Sequence, residues 1–184
     1  MSRKLNVIEI VKCHVSTFVD VDGKRMPMDY AVFFGVPIIL MVLSSMFGFN
    51  ASDKYIDTIV TASSIFIGLL LNMLLLINNQ KKSTPGVDSM NQDEDTVNKL
   101  STRHALLQET FYNISYCIVI SIVLVFISMS YFVIDFNIVR DIYIFNIDIN
   151  YKRHVLSPIS IFLITNLLLS ILMVVKRVYS LLKD

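Results

Sequence analysis

Residues 58–79 read TIVTASSIFIGLLLNMLLLINN, a run without a single charged side chain. Three further uncharged runs cover residues 30–49, 111–134 and 158–175, so all 16 Lys and Arg and all 15 Asp and Glu lie outside the four runs. A charged side chain at the centre of a bilayer costs roughly 2.5–3.5 kcal/mol or more. About 20 helical residues cross a hydrocarbon core of about 30 Å. The sequence therefore predicts an all-α membrane protein with four transmembrane helices.

The segments outside these four spans are short. A hydrophobic content of 54% and a mean hydropathy of +0.63 fit a chain in which the spans dominate. The first apolar run begins too late for a cleavable signal peptide, so we expect that run to stay in the mature protein. No outer segment is long enough for a sizeable soluble domain. These segments are residues 1–29, the loop and stem 80–110, the loop 135–157 and the tail 176–184.

The distribution of Lys and Arg predicts the orientation. If the N-terminus is cytoplasmic, twelve of these residues face the cytoplasm and four face the opposite side. The excess of Lys and Arg on one side marks the cytoplasmic loops. We therefore expect both termini in the cytoplasm, residues 80–110 on the cytoplasmic side and residues 135–157 in the periplasm.

The N-terminal segment carries apolar residues at helical spacing. Glu9, Lys12 and His14 lie elsewhere on the same helix. An amphipathic helix of this kind either lies in the inner headgroup layer or packs on a partner subunit. A third reading makes residues 15–21 strand-like before a turn at Asp22 and Gly23, and we favour a helix followed by that turn. The apolar positions are Leu5, Ile8, Val11, Val15 and Phe18.

A single helix is expected from about residue 95 to residue 134, because no helix breaker interrupts this stretch. Its length of about 40 residues, ~60 Å, would extend the third span into the cytoplasm as a stem. An apolar stripe outside the membrane must be covered, so the stem predicts helix association. In the third loop, residues 142–151 are β-branched and aromatic, which predicts a short strand or hairpin. The stem residues expected to associate are Val97, Leu100, His104, Leu107 and Phe111.

The sequence contains no recognisable set of catalytic groups. Its three histidines are dispersed, no carboxylate lies within a span, and no phosphate loop or HExxH motif occurs. Cys13 and Cys117 are not expected to pair, and no CxxC motif indicates zinc. We therefore expect no enzymatic activity, no metal and no cofactor. The absence of a buried acid or ion pair also argues against a pump or coupled transporter.

Small and polar residues recur along faces of the later spans and are the candidate pore-lining residues. Such residues normally mediate helix packing in membranes. Two asparagines within spans are more costly, and they either bond within one subunit or line a water-filled path in an oligomer. Both readings stay open at this stage. The candidates are Thr61, Ser64, Gly68, Asn72, Ser121, Ser128, Asn166 and Ser170.

Basic residues of the second loop also admit two readings. Lys81, Lys82, Lys99 and Arg103 set the orientation and attract anionic lipid at about 1 kcal/mol each. Alternatively, together with the N-terminal segment, they form a cytoplasmic site for an anionic ligand such as a nucleotide or oligonucleotide. The stem lacks paired aromatic residues for base stacking, which favours the first reading. We expect no direct readout of duplex DNA.

The second and third spans resemble a known class of protein. SIFIGLLLN at residues 64–72 is followed, after a polar loop, by LQETFYNISY at residues 107–116. This pattern resembles small four-span membrane effectors of bacterial anti-phage defence, in particular the Hailong-type channel effector, and RexB has a similar layout. The resemblance covers about residues 57–134. It implies a homo-oligomeric pore or ion channel of the bacterial inner membrane, which depolarises the membrane on infection when a soluble partner enzyme makes a nucleotide signal.

Two other functions fit the same layout. One is a non-conducting four-span sensor or scaffold that recruits a cytoplasmic defence partner, as in Kiwa-type defence. The other is an accessory membrane protein of an RNA-targeting CRISPR system. A protein without catalytic groups, with polar span faces and a self-associating stem, favours the gated pore. We therefore predict an oligomeric, ligand-gated pore.

Overall fold

The computed structural model describes residues 7–18, 27–83, 94–133, 137–139, 148–150 and 152–183. These residues are almost entirely helical, and they include four helices that are long and apolar enough to cross a membrane. The four-span prediction is confirmed at this level. The four helices cover Met28–Met46, Asp53–Lys82, Lys99–Val133 and His154–Leu181.

The first span is a composite helix, whereas the later spans are long regular helices. It consists of α2 (Pro27–Tyr30), a π-helical turn (Ala31–Gly35) and α3 (Val36–Met46), and it follows a separate N-terminal helix, α1 (Val7–Ser16). The remaining helices are α4 (Asp53–Ser83), α5 (Glu94–Val133) and α6 (Ser157–Lys183), with a second π-helical turn at Lys152–Leu156.

A glycine ends the first span. Gly48 has a φ of 62°, a left-handed conformation that glycine adopts without steric cost. The Phe49 N–H donates to Ser44 O at 2.9 Å, and the Gly48 N–H donates to Ser45 O at 3.2 Å. This pair of bonds is the Schellman motif, which satisfies carbonyls that the end of a helix leaves open.

The ends of α4 reach beyond the uncharged run of residues 58–79. At the start, Ser52 Oγ accepts a hydrogen bond from the Tyr55 N–H at 3.3 Å, as expected of an N-cap. Asp53 lies in the first turn, and Lys81 and Lys82 lie in the last. These charges complement the helix dipole. Charged ends are compatible with a spanning helix, because charge is tolerated at headgroup depth but not in hydrocarbon.

α5 is one continuous helix of 40 residues, as expected from the absence of a breaker. The third loop contains two three-residue strands, β1 (Asn137–Val139) and β2 (Asp148–Asn150), which pair antiparallel with Ile138 opposite Ile149. Helical structure resumes at Lys152, earlier than the end of the predicted loop at residue 157. Residues 140–147, and the predicted turn at Asp22 and Gly23, lie outside the described residues.

The chain divides into two compact units. The first contains α1, α4 from Gly68 onward, α5 up to Val119 and α6 from Ser170 onward. The second contains the first span, α4 up to Ile67, α5 from Ile120 onward, β1, β2 and α6 up to Leu169. Each unit brings residues together that are far apart in sequence.

In the second unit, Tyr131 of α5 holds the segment between the first two spans. Its hydroxyl donates to Ala51 O, and the Ala51 N–H donates to Ser157 Oγ at 3.2 Å. Lys152 Nζ lies 5.1 Å from the centroid of the Tyr131 ring, within cation–π range. Ala51, Tyr131 and Leu156 are buried together with Ile56 in one small core.

In the first unit, only the last turn of α1 and the residues after it are buried. Val7, Ile8 and Val11 are 43%, 48% and 37% exposed, whereas His14 and Phe18 are 1% and 2% exposed. The apolar positions of the first two turns thus stay exposed. His14, which the sequence placed away from the apolar face, is an anchor point of the helix.

Candidate functional site

The eight candidate pore-lining residues fall into two groups of four. Four lie exposed on α4, and the other four are buried on α5 and α6. Since all eight were predicted to share one environment, burial is the property that separates them. The exposed group is Thr61, Ser64, Gly68 and Asn72. The buried group is Ser121, Ser128, Asn166 and Ser170, none of which is more than 2% exposed.

Among the described residues of the four uncharged runs, only the run on α4 exposes polar side chains, and it exposes them beside apolar ones. In the uncharged runs 30–49, 111–134 and 158–175, every described residue that is exposed is apolar. At 100° per residue, the exposed polar and glycine positions of the run 58–79 fall within an arc of about 120°. The exposed apolar residues Ile65 and Leu75 lie in the same arc. We call the set of polar and glycine positions the polar face of α4. It consists of Thr58, Thr61, Ser64, Gly68, Asn72 and Asn79.

Two hydroxyl groups of the polar face bond to their own helix. Thr58 Oγ1 donates to Lys54 O at 2.8 Å, and Ser64 Oγ donates to Val60 O at 2.8 Å. Both bonds run back one turn of α4. A hydroxyl bonded in this way satisfies its own donor, so it can face hydrocarbon or another helix at little cost. These two residues do not by themselves require water or a partner.

Gly68 and Asn72 differ from those hydroxyl residues. A Cβ atom built on Gly68 meets nothing within 4 Å, so the space beside this glycine is open. Asn72, one turn further along α4, makes no hydrogen bond to any described residue. Its carboxamide has two N–H donors and a carbonyl acceptor to satisfy. The polar face therefore presents an open surface beside an amide that lacks a partner in its own described chain.

Asn166 has a specific role inside the second unit. Pro37 has no N–H, so it leaves Phe33 O, four residues earlier, without its α-helical donor. Asn166 Nδ2 donates to Phe33 O at 3.0 Å and supplies the missing bond. The sequence alone does not show which residue satisfies this carbonyl. This buried amide therefore stabilises the proline site and is not available to a pore.

The three buried serines contribute small volume rather than bonding. Ser121, Ser128 and Ser170 are fully buried, and their hydroxyl groups make no hydrogen bond within the described part of the chain. Small residues at such positions let neighbouring helices approach closely. We therefore assign them to packing within one chain.

A second polar cluster lies in the first unit and was not anticipated. The His14 ring stacks on the Tyr116 ring with centroids 3.8 Å apart and an interplanar angle of 5°. Phe18 contacts the same imidazole edge-on at 5.0 Å. His14 Nδ1 lies 2.7 Å from Asn113 Oδ1. Since that oxygen can only accept, Nδ1 carries the proton and donates it. We call this group, together with Thr17, the His14 cluster.

Arg177 of α6 closes the His14 cluster. Its Nη2 donates to Thr17 O at 2.9 Å and forms an ion pair with Glu109 of α5 at 3.2 Å. One guanidinium thus links the end of α1 to both α5 and α6. Thr17 Oγ1 also lies 3.1 Å from Asn113 Oδ1. The sequence carries no local signal for the contact between Arg177 and Thr17, which are 160 positions apart.

The environment of His14 disfavours its charged form. Burial and, to a smaller extent, the Arg177 charge lower the pKa of His14 from 6.5 to about 4, although the hydrogen bond to Asn113 acts in the opposite direction. The ring is therefore neutral at pH 7. A buried, neutral histidine at this position is a structural contact whose strength depends on pH.

The predicted anion-binding and stem residues also belong to the first unit. Lys81, Lys82, Lys99 and Arg103 are all exposed. On the stem, Leu107 is completely buried, and the other four predicted association residues are partly buried. The four basic residues are therefore accessible to a ligand or a lipid headgroup. Within the described residues, no group of three or more His, Cys, Asp or Glu could hold a metal ion. The four partly buried stem residues are Val97, Leu100, His104 and Phe111.

The chain matches no protein-family model, no curated protein and no solved structure. The resemblance to Hailong-type effectors therefore stays a prediction from sequence pattern.

Proposed function

We propose that the protein is a homo-oligomeric membrane pore whose wall is built from the polar face of α4 of each copy. The observation that carries this proposal is that, among the described residues of the four uncharged runs, only the run on α4 exposes polar side chains. A second copy of the chain can pack against this surface, because the space beside Gly68 is open and the Asn72 amide is exposed. The face then meets protein or water instead of lipid.

The energetics of Asn72 support an occupied face. Moving an amide from water into hydrocarbon without a hydrogen bond costs roughly 4–8 kcal/mol. Asn72 lies about three to four residues, ~5 Å, from the middle of the run 58–79 and cannot reach the headgroups. A neighbouring copy, or water inside an oligomer, removes this cost. We therefore expect the hydrogen-bond partner of Asn72 to be another copy of the chain or water.

The length of the polar face supports a pore over a local packing contact. Its end residues, Thr58 and Asn79, are 21 positions apart, or ~32 Å along the helix axis. This distance matches the hydrocarbon thickness of about 30 Å. A packing contact needs only a few small residues near a crossing point, whereas the polar positions of this face recur from one end of the run to the other, with exposed Leu75 between Asn72 and Asn79. Because the face is uncharged, we expect weak selectivity between cations and anions.

The cellular role we propose follows the sequence resemblance. The pore would act in the bacterial inner membrane as an anti-phage effector that depolarises the cell on infection. Lys81, Lys82, Lys99 and Arg103 are the candidate contacts for an anionic gating ligand made by a soluble partner enzyme. The proposal includes no catalytic step by this chain.

The direct test is ion flux in liposomes that contain the purified full chain. The wild type is expected to dissipate an imposed ion gradient, and Asn72→Leu is expected to lower the flux at least about tenfold, equal to ~1.4 kcal/mol. Asn78→Leu is the matched control, because Asn78 is on the same helix but partly buried and off the polar face. Its flux should equal that of the wild type.

Other outcomes would overturn the proposal. A monomeric protein without flux in liposomes, with or without candidate anionic ligands, argues against a pore. If a stoichiometric soluble protein also co-purifies, the non-conducting scaffold becomes the better account. The defence role has its own test. Cells that express the chain with its genomic neighbours should lose membrane potential on phage infection, and Asn72→Leu cells should keep it.

A further inference from the structure

We propose that α1 is a proton-operated latch, which neutral His14 holds on α5 and α6 and which releases when the imidazole takes up a proton. The latch is a property of the His14 cluster and does not depend on the pore. Its readout is the docking of α1 itself.

The docking of α1 is concentrated in one turn. His14, Thr17 and Phe18 are no more than 5% exposed, whereas Val7, Ile8 and Val11 upstream are each more than a third exposed. None of the residues in the first two turns is buried. The helix is therefore held mainly through the end that contains His14, so loss of this end detaches the whole element.

The arrangement around His14 accepts one protonation state. Nδ1–H donates to Asn113 Oδ1, and both the Tyr116 ring and the Phe18 ring shield the imidazole from water. A second proton would place a full positive charge on a buried ring that contacts two aromatic side chains. The energetic cost is the desolvation of that charge.

The charged groups around the imidazole do not offset this cost. From α6, the Arg177 guanidinium adds like-charge repulsion. From α5, the Glu109 carboxylate is held by Arg177 at 3.2 Å, so its charge is already engaged. Tyr116, the stacked neighbour from α5, is neutral at these pH values. Protonated His14 thus meets one cation and no free anion among these described neighbours.

Linkage gives the size of the effect. The pKa of His14 is about 4 in the docked state, against 6.5 for an unperturbed imidazole. Because the released state binds the proton more readily, docking weakens as the pH falls through the interval between these two values. The docking equilibrium is expected to fall about 4-fold at pH 6 and about 30-fold at pH 5, relative to its value above pH 7.

The test measures the mobility of a spin label on α1 in the full chain, reconstituted in nanodiscs. The label is attached at Ser16→Cys, an exposed position of the last turn, in a Cys13→Ala/Cys117→Ala background. Nitroxide mobility does not titrate in this range. The mobile fraction is expected to rise between pH 7.5 and pH 5 with a midpoint below 6.5.

Four variants make the assignment specific. His104→Phe and His154→Phe should respond as the parent does. His14→Phe/Asn113→Leu replaces both polar partners by apolar groups and should keep the label immobile at both pH values. His14→Arg should release it at both. If the double variant is released throughout, His14→Gln is the second uncharged variant and should lack a pH response.

The proposal is overturned if the parent shows no change between pH 7.5 and pH 5. It is equally overturned if the response persists without His14 or disappears in His104→Phe or His154→Phe. A lost pore current with an immobile label would count against the pore alone. A mobile label with normal flux would support the latch alone.

Discussion

Asn166 Nδ2 donates a 3.0 Å hydrogen bond to Phe33 O, the carbonyl whose α-helical donor is missing because residue 37 is proline. Both partners belong to the second unit, and Asn166 is 2% exposed. A polar side chain of one span here donates a hydrogen bond to a backbone carbonyl that proline leaves open in another span. Proline within membrane helices is tolerated when a neighbour satisfies the freed group in this way.

This relationship predicts a coupled pair of substitutions. Asn166→Leu removes the side-chain donor to Phe33 O and should lower the free energy of unfolding by about 1–3 kcal/mol. In a Pro37→Ala background, residue 37 can donate to Phe33 O itself, so the same substitution should cost clearly less. Steric-trapping measurements in bicelles give the four free energies of the double-mutant cycle. Equal costs in both backgrounds would show that the bond does not serve the proline site.

Gly68 predicts where the copies meet. Because the space around Gly68 is open within one chain, Gly68→Trp should fold as a monomer but block close approach of a second α4. We expect the dissociation constant of self-association to rise at least about tenfold, ~1.4 kcal/mol, as measured by single-molecule photobleaching in liposomes.

Leu172→Trp is the matched control for Gly68→Trp. It introduces the same side chain at a position of α6 that is 64% exposed and lies on an apolar surface. The oligomer should survive this change. An oligomer that tolerates Gly68→Trp but not Leu172→Trp would place the interface on α6 instead.

Tyr131 predicts a local stability effect in the second unit. Tyr131→Phe removes the donor to buried Ala51 O but keeps the ring under Lys152. An unsatisfied buried carbonyl should lower the unfolding free energy by about 1–3 kcal/mol. In the control Tyr112→Phe, the lost partner is the exposed Gln108 amide, so the change should stay within about 0.5 kcal/mol. Similar losses in both variants would contradict the role given to Tyr131.

The sequence was most informative where charge and continuity decide the structure. Charge-free runs predict the four spanning helices because a charged side chain is costly in hydrocarbon, whichever neighbours a span packs against. The absence of a breaker predicts α5 as one helix. Helical spacing also groups Thr61, Ser64, Gly68 and Asn72 on one face. It does not show whether a face points inward or outward, because periodicity carries no information about rotation of the helix against its neighbours.

The contacts that distinguish the two units could not be read from the sequence. His14 and Asn113 are 99 positions apart, and Asn166 and Phe33 are 133 apart. Nothing local marks either pair. The sequence also could not separate the exposed pore candidates from the buried ones. Asn72 and Asn166 have the same side chain, and only packing makes the first exposed and the second buried.

The most direct test of the central claim is chemical modification of Asn72→Cys in a conducting, reconstituted protein that lacks Cys13 and Cys117. If the polar face of α4 lines a water-filled path, a membrane-impermeant, positively charged methanethiosulfonate reagent should react at residue 72 and reduce the cation current. Leu172→Cys, on an apolar surface of α6, should not respond to the same reagent. An unchanged current in Asn72→Cys, or an equal response in Leu172→Cys, would contradict the account.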